Sequence, residues 1–232
     1  MSLGGKHFWR ALGLALVAAS APLRPASAEL TVSQLIVELR SDAPTADIEI
    51  VNDSPERSYV AVEPREIVEP GSAGERPFVS PDPERLGLIA SPSRMILEPR
   101  QRRTVRLAAI AGELPRERVY RVTVKPVAGE LASEQSGLKL LVGYDLLVLV
   151  RPKTPVLGLV AKRGERGLTL TNNGNASVEL SEGKQCDRTG VSCQALPSKR
   201  LYAGASWTQP FSSNASGEYR VRSADGWSIL KY

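Results

Sequence analysis

Side chains that carry chemistry at neutral pH are scarce in this 232-residue chain, whose one histidine is His7. His7 lies in a leader-like segment that we expect to be cleaved. The mature chain would then have no histidine. Histidine is the usual general base at neutral pH, the base in Ser-His-Asp and Cys-His arrangements, and the commonest metal ligand. A carboxylate pair could still hydrolyse a glycoside, but no spacing singles out two acidic residues. The sequence therefore predicts no enzyme, no cofactor and no metal site.

The two cysteines, Cys186 and Cys193, lie seven positions apart. In an oxidising compartment this spacing favours a disulfide that closes a short hairpin-like loop. A metal site is the alternative, but it lacks other soft ligands. We expect the disulfide.

The first 28 residues have the order of a secretory signal. Lys6, His7 and Arg10 precede the apolar residues 11–21, and small residues end at Ala28. The apolar run is too short to span a bilayer. The alternative is a buried N-terminal helix, but the prolines of residues 22–25 would break it. We expect cleavage after Ala28 and export.

Cleavage changes the charge of the chain. Removing Lys6, Arg10 and Arg24 from a formal charge of +5 leaves +2. Basic residues lie among acidic ones throughout, which argues against the one-sided patch of a nucleic-acid binder. No later stretch is long and apolar enough for membrane insertion.

Short runs of alternating apolar and polar residues, separated by Pro, Gly, Asn, Asp and Ser, predict half-buried strands that position the remaining side chains. The first series comprises residues 30–39, 46–52, 59–68, 89–97, 102–109, 119–127 and 138–151. Residues 69–87 are read as a long loop. Seven strands are typical of an immunoglobulin-like sandwich.

A second series follows two prolines, Pro152 and Pro155, that make a continuing sheet improbable. Its strands are predicted at residues 156–161, 167–171, 177–181, 200–203, 206–211, 217–222 and 228–231. The expected fold is all-β with two immunoglobulin-like sandwiches. The domains are a signal peptide (1–28), an N-terminal domain (29–152) and a smaller C-terminal domain with one disulfide (153–232).

Residues 138–150 (LKLLVGYDLLVLV) form a longer run than an ordinary strand. In its first half Leu138, Leu140 and Val142 face one way, and its second half is apolar on both faces. Such a strand could begin at an exposed edge, where a partner adds a strand by β-augmentation. It could equally be the central strand of the first sandwich.

Three stretches resemble the periplasmic pilus chaperones of chaperone–usher systems. They are IVNDS at 50–54, MILEPRQ at 95–101 leading into TVRL at 104–107, and RERVYRV at 116–122, followed by a long strand that ends at Arg151. LTLTNNGNA at 168–176, the loop between the cysteines, and Trp227 are similar to the common-pilus (Mat fimbria) branch.

The resemblance implies an L-shaped pair of sandwiches that acts in the periplasm. Such chaperones stabilise fimbrial subunits by donating an edge strand, here with Leu138, Leu140 and Val142, and deliver them to an outer-membrane usher. When empty, they can cap themselves as a dimer. The resemblance also implies donor-strand complementation in pilus biogenesis and fimbrium assembly, with no nucleic acid and no membrane insertion.

The chain departs from the family at the residues that hold the subunit's terminal carboxylate. The expected lysine falls on Leu147, and the expected arginine falls near Leu35 or Ile36. Arg121, Lys125 and Arg151 are therefore the candidate carboxylate anchors in the interdomain cleft, although each could be an ordinary surface charge.

A structural or adhesive β-sandwich subunit of a surface fibre is the alternative function. A pilin would carry an N-terminal donor extension, for which a strand pattern starting near Glu29 leaves little room. A sugar-binding site would show exposed aromatic residues, but aromatic residues of all kinds make up only 5% of the chain and are scattered.

Overall fold

The computed structural model describes residues 30–110, 112–127, 141–165, 167–212 and 215–232. These residues form short strands, as the alternating pattern predicts, and one helical turn, which it does not. In chain order the elements are β1 (Leu30–Val32), β2 (Ile36–Leu39), β3 (Thr45–Asn52), β4 (Ser58–Val68), β5 (Arg76–Phe78), α1 (Pro83–Leu86), β6 (Leu88–Ser91), β7 (Arg94–Leu97), β8 (Arg102–Ala109), β9 (Arg118–Pro126), β10 (Tyr144–Val150), β11 (Leu159–Gly164), β12 (Gly167–Asn172), β13 (Val178–Cys186), β14 (Cys193–Leu196), β15 (Lys199–Leu201), β16 (Ser206–Gln209), β17 (Ser216–Ser223) and β18 (Gly226–Lys231).

The first sandwich contains β1 to β10. One sheet has the order β1-β3-β8-β6, and the other has the order β2-β10-β9-β4-β5, with β7 also paired to β4. Their facing side chains form one core that includes Ile50, Leu107, Tyr120 and Val148. Inward and outward positions alternate along each strand, which places the core at every second residue.

The second sandwich contains β11 to β18. Its sheets have the orders β11-β12-β16 and β14-β13-β17-β18, with β15 also paired to β13. Leu168 and Leu170 from the first of these sheets pack with Leu180 and Tyr219 from the second. This core is separate from that of the first sandwich, so each pair of sheets buries its own apolar face.

A buried asparagine closes the turn after one strand in each sandwich. Asn52 donates to the carbonyls of Glu56 and Leu97, and its side-chain oxygen accepts from Ser54 N. Asn172 has the same pattern, with Ala176 O, Leu201 O and Gly174 N. Because an asparagine amide can both donate and accept, it satisfies backbone groups that the turn would otherwise leave unpaired.

The single strands predicted at residues 30–39 and 89–97 are wrong, because each region forms two strands. After β1 the chain leaves the first sheet at Ser33, which bonds to Glu49 through its backbone and its hydroxyl, and β2 joins the opposite sheet. Pro92 lies between β6 and β7, which also belong to opposite sheets. Proline has no N–H to donate to a ladder, so it marks the crossing point.

The long loop predicted at residues 69–87 is partly ordered as β5 and α1. Asp82 caps α1 by accepting from Glu84 N, Pro83 occupies the first turn, and Gly87 ends it with φ 81°. These are the residue types that favour a helix start and stop, even in a single turn.

Candidate functional site

The neighbours of β10 change along its length. β9 pairs with β10 from Tyr144 to Val150, whereas β2 pairs in parallel only with Leu147 and the residues after it. Leu147 N donates to Leu35 O at 2.9 Å. Because backbone groups alternate in direction along a strand, the N–H of Asp145 points toward the side that β2 leaves open. Within the described residues, β10 thus has a free edge before Leu147.

One face of β10 belongs to the core of the first sandwich. Tyr144, Leu146, Val148 and Val150 lie in or against that core, and the Tyr144 hydroxyl donates to Leu30 O at 2.8 Å. Val142 has the same sequence parity, precedes the strand and is 50% exposed. This side chain is thus available to a partner.

The predicted strand at residues 138–151 is described from residue 141 onward, and β10 itself begins only at Tyr144. Leu138 and Leu140 lie outside the described residues. Gly143 precedes β10 at a close approach to β9, because a Cβ there would lie 3.0 Å from both Lys125 Cβ and Val124 O. The chain can follow β9 at this point because residue 143 has no side chain.

The other face of β10 contacts the second sandwich. Leu147 and Leu149 pack with Val119 in a small buried cluster, against which Tyr202 of the second sandwich lies. Leu147, at the position where the resemblance expects a lysine, is 6% exposed. An unpaired charge there would be desolvated, so leucine suits this contact between the sandwiches. Leu35 and Ile36, at the other expected anchor position, are exposed.

Arg121 lies directly opposite Leu147 in the β9–β10 register, at the border of this contact. Its Nε is 4.0 Å from an oxygen of Asp145, and 37% of its side chain is exposed. Both oxygens of Asp145 already accept from Arg65, at 2.9 and 3.0 Å, and one also accepts from the Thr123 hydroxyl. Two guanidinium groups therefore share one carboxylate, which leaves an excess of positive charge.

The positive charge of Arg121 also acts on Tyr202. Burial raises the pKa of Tyr202, and the charge of Arg121 offsets part of that increase. The placement of Arg65, Asp145 and Tyr202 around Arg121 was not predicted from the sequence, because these residues lie on strands and a loop far apart in the chain. For Arg65 and Asp145 the only sequence signal was a charged residue at an outward position of a strand, and Tyr202 had no such signal.

Lys125 lies farther along β9, where its Nζ is 2.8 Å from Glu63 on β4. Both side chains are about half exposed. Between the sandwiches, a groove of about 350 Å³ is lined by Glu66, Val119 and Tyr202 among others, and its lining does not include Arg121, Lys125 or Arg151.

Arg151 is buried where the two sandwiches meet. Its guanidinium bonds to the carboxylate of Glu117, to the carbonyl and hydroxyl of Ser177 at 3.0 and 3.2 Å, and to Glu38 at 3.1 Å. Burial raises the pKa of Glu117, and the charge of Arg151 opposes that effect. The Arg151 side chain is 4% exposed, and its charge is already neutralised by carboxylates of the protein itself.

Cys186 and Cys193 form the predicted disulfide. They face each other where β13 and β14 meet, so the bond closes a β-hairpin rather than an irregular loop.

The first sandwich matches a known family over almost its whole length. Residues 29–155, more than half of the chain, match the model of the "Pili and flagellar-assembly chaperone, PapD N-terminal domain". This chain belongs to that family. Its members are non-enzymatic periplasmic chaperones of the chaperone–usher pathway, so this chain is a fimbrial chaperone and not an enzyme.

Solved structures share the fold of this chaperone at low sequence identity. The class 5 fimbriae chaperone CfaA is 19% identical, with a TM-score of 0.66 over 87% of this chain and 98% of its own. The Escherichia coli chaperone DraB is 17% identical, with a TM-score of 0.61 over 88% and 95%. A chain from the complex of the Salmonella enterica SafA pilin with the SafB chaperone is 17% identical, with a TM-score of 0.60 over 90% and 98%.

These likenesses establish two immunoglobulin-like sandwiches for the chaperone, as predicted. No curated protein sequence matches it significantly. Across the part of the chain that the structure describes, no helix is both long and apolar enough to cross a bilayer.

Proposed function

We propose that this chaperone captures fimbrial subunits by adding the segment that contains Leu138, Leu140 and Val142 to the subunit's incomplete sheet. It then delivers the subunit to an outer-membrane usher. Cleavage after Ala28 would release the mature chaperone into the periplasm. The observation that carries the proposal is the free edge of β10 before Leu147, which leads directly into exposed Val142.

The edge supplies both parts of strand addition. Outward backbone groups, such as the N–H of Asp145, can pair with a subunit strand, while alternate side chains fill its open groove. Leu138, Leu140 and Val142 share the parity of the core-facing residues of β10. Each fully buried side chain would contribute about 1.5–3 kcal/mol. An empty chaperone would pair the same edge with a second copy, as a capping dimer.

The common-pilus branch is the finer assignment that we propose. Its support is the segment at residues 168–176, which contains the buried turn asparagine Asn172, together with the disulfide hairpin and Trp227. This branch would take common-pilus subunits as clients.

Donor-strand capture predicts that Leu140→Glu and Val142→Glu reduce recovery of a soluble chaperone–pilin complex by at least about tenfold, because a carboxylate would be desolvated in an apolar groove. The measurement is co-expression with a pilin of the same host, followed by affinity purification. Lys139→Glu is the matched control, since it adds the same group at the opposite parity. Equal recovery with Val142→Glu and wild type would refute donation by this segment.

We propose Arg121 as the anchor for the subunit's terminal carboxylate, among the three candidates. It is partly exposed, lies on β9 one strand in from the free edge of β10, and forms its only ion pair in the described structure with Asp145, which Arg65 also binds. Lys125 is paired with Glu63, and Arg151 is buried among its own partners. Arg121 therefore has the most capacity for another carboxylate.

Arg121→Ala should weaken subunit binding by about 10- to 100-fold, the range expected for a hydrogen bond to a charged group. Lys125→Ala is the control and should have little effect. Adding two residues to the C-terminus of the pilin should weaken its binding to the wild-type chaperone by a similar factor. The same extension should weaken binding to Arg121→Ala only slightly further. Full additivity of the two changes in binding assays would show that Arg121 does not contact the carboxylate.

A further inference from the structure

Strand β18 forms one edge of the second sandwich, far in sequence from the donor segment. In the described residues it pairs only with β17. Gly217 and Tyr232 exchange both backbone hydrogen bonds, which sets the alternation along the hairpin. The N–H and C=O groups of Trp227, Ile229 and Lys231 therefore point away from β17. These outward-pointing residues are spaced evenly about Ile229.

The side chains of β18 are open as well as its backbone. Trp227 is 53% exposed and Ile229 is 63% exposed, and both lie on the outer face of the sheet. Exposed edges are normally protected by prolines, bulges or inward charges. β18 contains no proline, and its register with β17 has no bulge. This edge can therefore accept another strand.

The charges of the neighbouring strands are already paired with one another. Arg220 lies 2.9 Å from Glu182, and Lys184 lies 3.0 Å from Glu218. All four side chains line a shallow groove of about 330 Å³ on this face. Two acids and two bases balance, so the groove favours neither an acidic nor a basic ligand.

Two charged residues at the ends of β18 remain without an ion pair in the described structure. Lys231 is the last residue of the strand, and Asp225 lies in the turn that precedes it. Their charges are opposite, and the strand separates them. Antiparallel pairing of two such strands brings the end of one to the start of the other, so each lysine would approach the aspartate of the other copy.

We propose that β18 pairs with β18 of a second copy, in antiparallel register about a two-fold axis at Ile229. In this register Trp227 lies opposite Lys231 of the other copy, so all three outward-pointing residues of each strand find partners. Moving the axis by one residue in either direction would keep only two such pairs within the strand. The interface is isologous, because the same residues contribute from both copies.

The side chains of the two copies complement each other in this register. Ile229 meets Ile229 at the axis, with Trp227 of each copy diagonal to it. Lys231 lies diagonal to Asp225 of the other copy, within reach of a long side chain. Trp227 stands between that lysine and Arg222 on β17, which reduces the repulsion of like charges. A second copy brings all of these contacts, whereas a foreign strand would have to reproduce them.

The test is analytical ultracentrifugation of the mature full-length protein at about 1–300 µM, since small interfaces associate weakly. We expect a monomer–dimer equilibrium. Val142→Glu places a charge in the donor segment and should leave this equilibrium unchanged, because the proposed interface uses no residue of the first sandwich.

A charge exchange tests the register. Asp225→Lys and Lys231→Asp should each weaken dimerisation by about tenfold, because each replaces attraction with repulsion at both ends of the interface. The double variant should return to within about threefold of wild type, since the pairs form again with their signs exchanged. Lys162→Asp, on the other sheet of the same sandwich, is the control and should have no effect.

The backbone contribution is tested by Ile229→Pro. Proline removes the outward N–H at the axis without removing a hydrogen bond to β17, and it should weaken dimerisation by about tenfold or more. Thermal unfolding checks that each variant folds. The charge exchange decides the question if this variant does not.

Four outcomes would overturn the proposal. They are a monomer throughout the concentration range, a dimer that neither single charge variant weakens, a double variant no better than the single ones, and a dimer that Val142→Glu abolishes. The last would assign association to the donor edge. Subunit capture is measured separately, so neither proposal's failure implies the other's.

Discussion

Arg151 has bonding partners in both sandwiches, although it belongs to neither core. Glu117 and Glu38 provide carboxylates from the first sandwich, and Ser177 provides two oxygens from the second. A buried ion pair adds little stability compared with an apolar replacement, but removal of one partner leaves an uncompensated charge. The bonds of Arg151 therefore hold the two sandwiches together at the point where they meet.

Glu117→Ala should destabilise the protein by about 3–5 kcal/mol, because Arg151 would lose its most buried partner. Urea unfolding followed by circular dichroism measures the change. Glu113→Ala is the matched control, since it removes an exposed carboxylate paired with Lys153 and should cost at most about 1 kcal/mol. Similar losses for both variants would contradict this account of Arg151.

The β13–β14 hairpin shows how one covalent bond acts on one element. Cys186 and Cys193 face each other at the end of the paired region, and Val191 in the loop between them is 87% exposed. The loop packs little apolar surface, so its order depends on strand pairing and on the disulfide.

Replacing both cysteines with serine should destabilise the second sandwich by at most about 2.5 kcal/mol, the loop-closure value for such a short loop. Differential scanning calorimetry of the variant and of reduced wild type should give the same shift. If reduction leaves the unfolding profile unchanged, strand pairing alone holds the hairpin and the loop-closure argument fails.

Most elements could be predicted from alternation, because each strand buries one face in its own sandwich. β8 was predicted with its observed bounds, and β3 with an error of one residue. The strand crossings at Ser33 and Pro92 were missed, since apolar alternation does not say which sheet a residue faces. α1 was missed because one turn is too short to show helical periodicity.

The site was less predictable than the strands. Arg121 could be singled out as a basic residue near the long strand, but its relation to Asp145 and Tyr202 depends on tertiary contacts. The burial of Arg151 likewise depends on residues in another sandwich. Counting back from Arg151 placed Leu147 at the position where the family has a lysine. Leucine suits this position because its side chain is buried in a cluster against which Tyr202 packs.

At the scale of the whole molecule, Asn175 connects the two sandwiches through the segment between them. Its amide donates to Pro115 O at 3.2 Å and Thr154 O at 3.0 Å, and its side-chain oxygen accepts from Val156 N at 2.7 Å. Its backbone carbonyl accepts from Glu117 N. One residue thus bonds the first sandwich, the connecting segment and the second sandwich together.

Asn175→Ala should loosen the arrangement of the sandwiches and cost about 1–3 kcal/mol, because the freed polar groups lose their partners. Small-angle X-ray scattering should show a wider distribution of dimensions, and unfolding should separate into two transitions. Asn173→Ala, which removes a neighbouring exposed amide, is the control. An unchanged scattering profile for Asn175→Ala would show that the other contacts suffice.

Because β2 pairs with only part of β10, the two ends of this stretch of chain have different roles. From Tyr144 onward its residues complete the protein's own sandwich, whereas the segment before Gly143 is the part that we propose to bind the client. Sequence changes in that leading segment would therefore alter client preference with little loss of the chaperone's own stability. Diversification of clients can proceed there, while the rest of the strand stays under selection for folding.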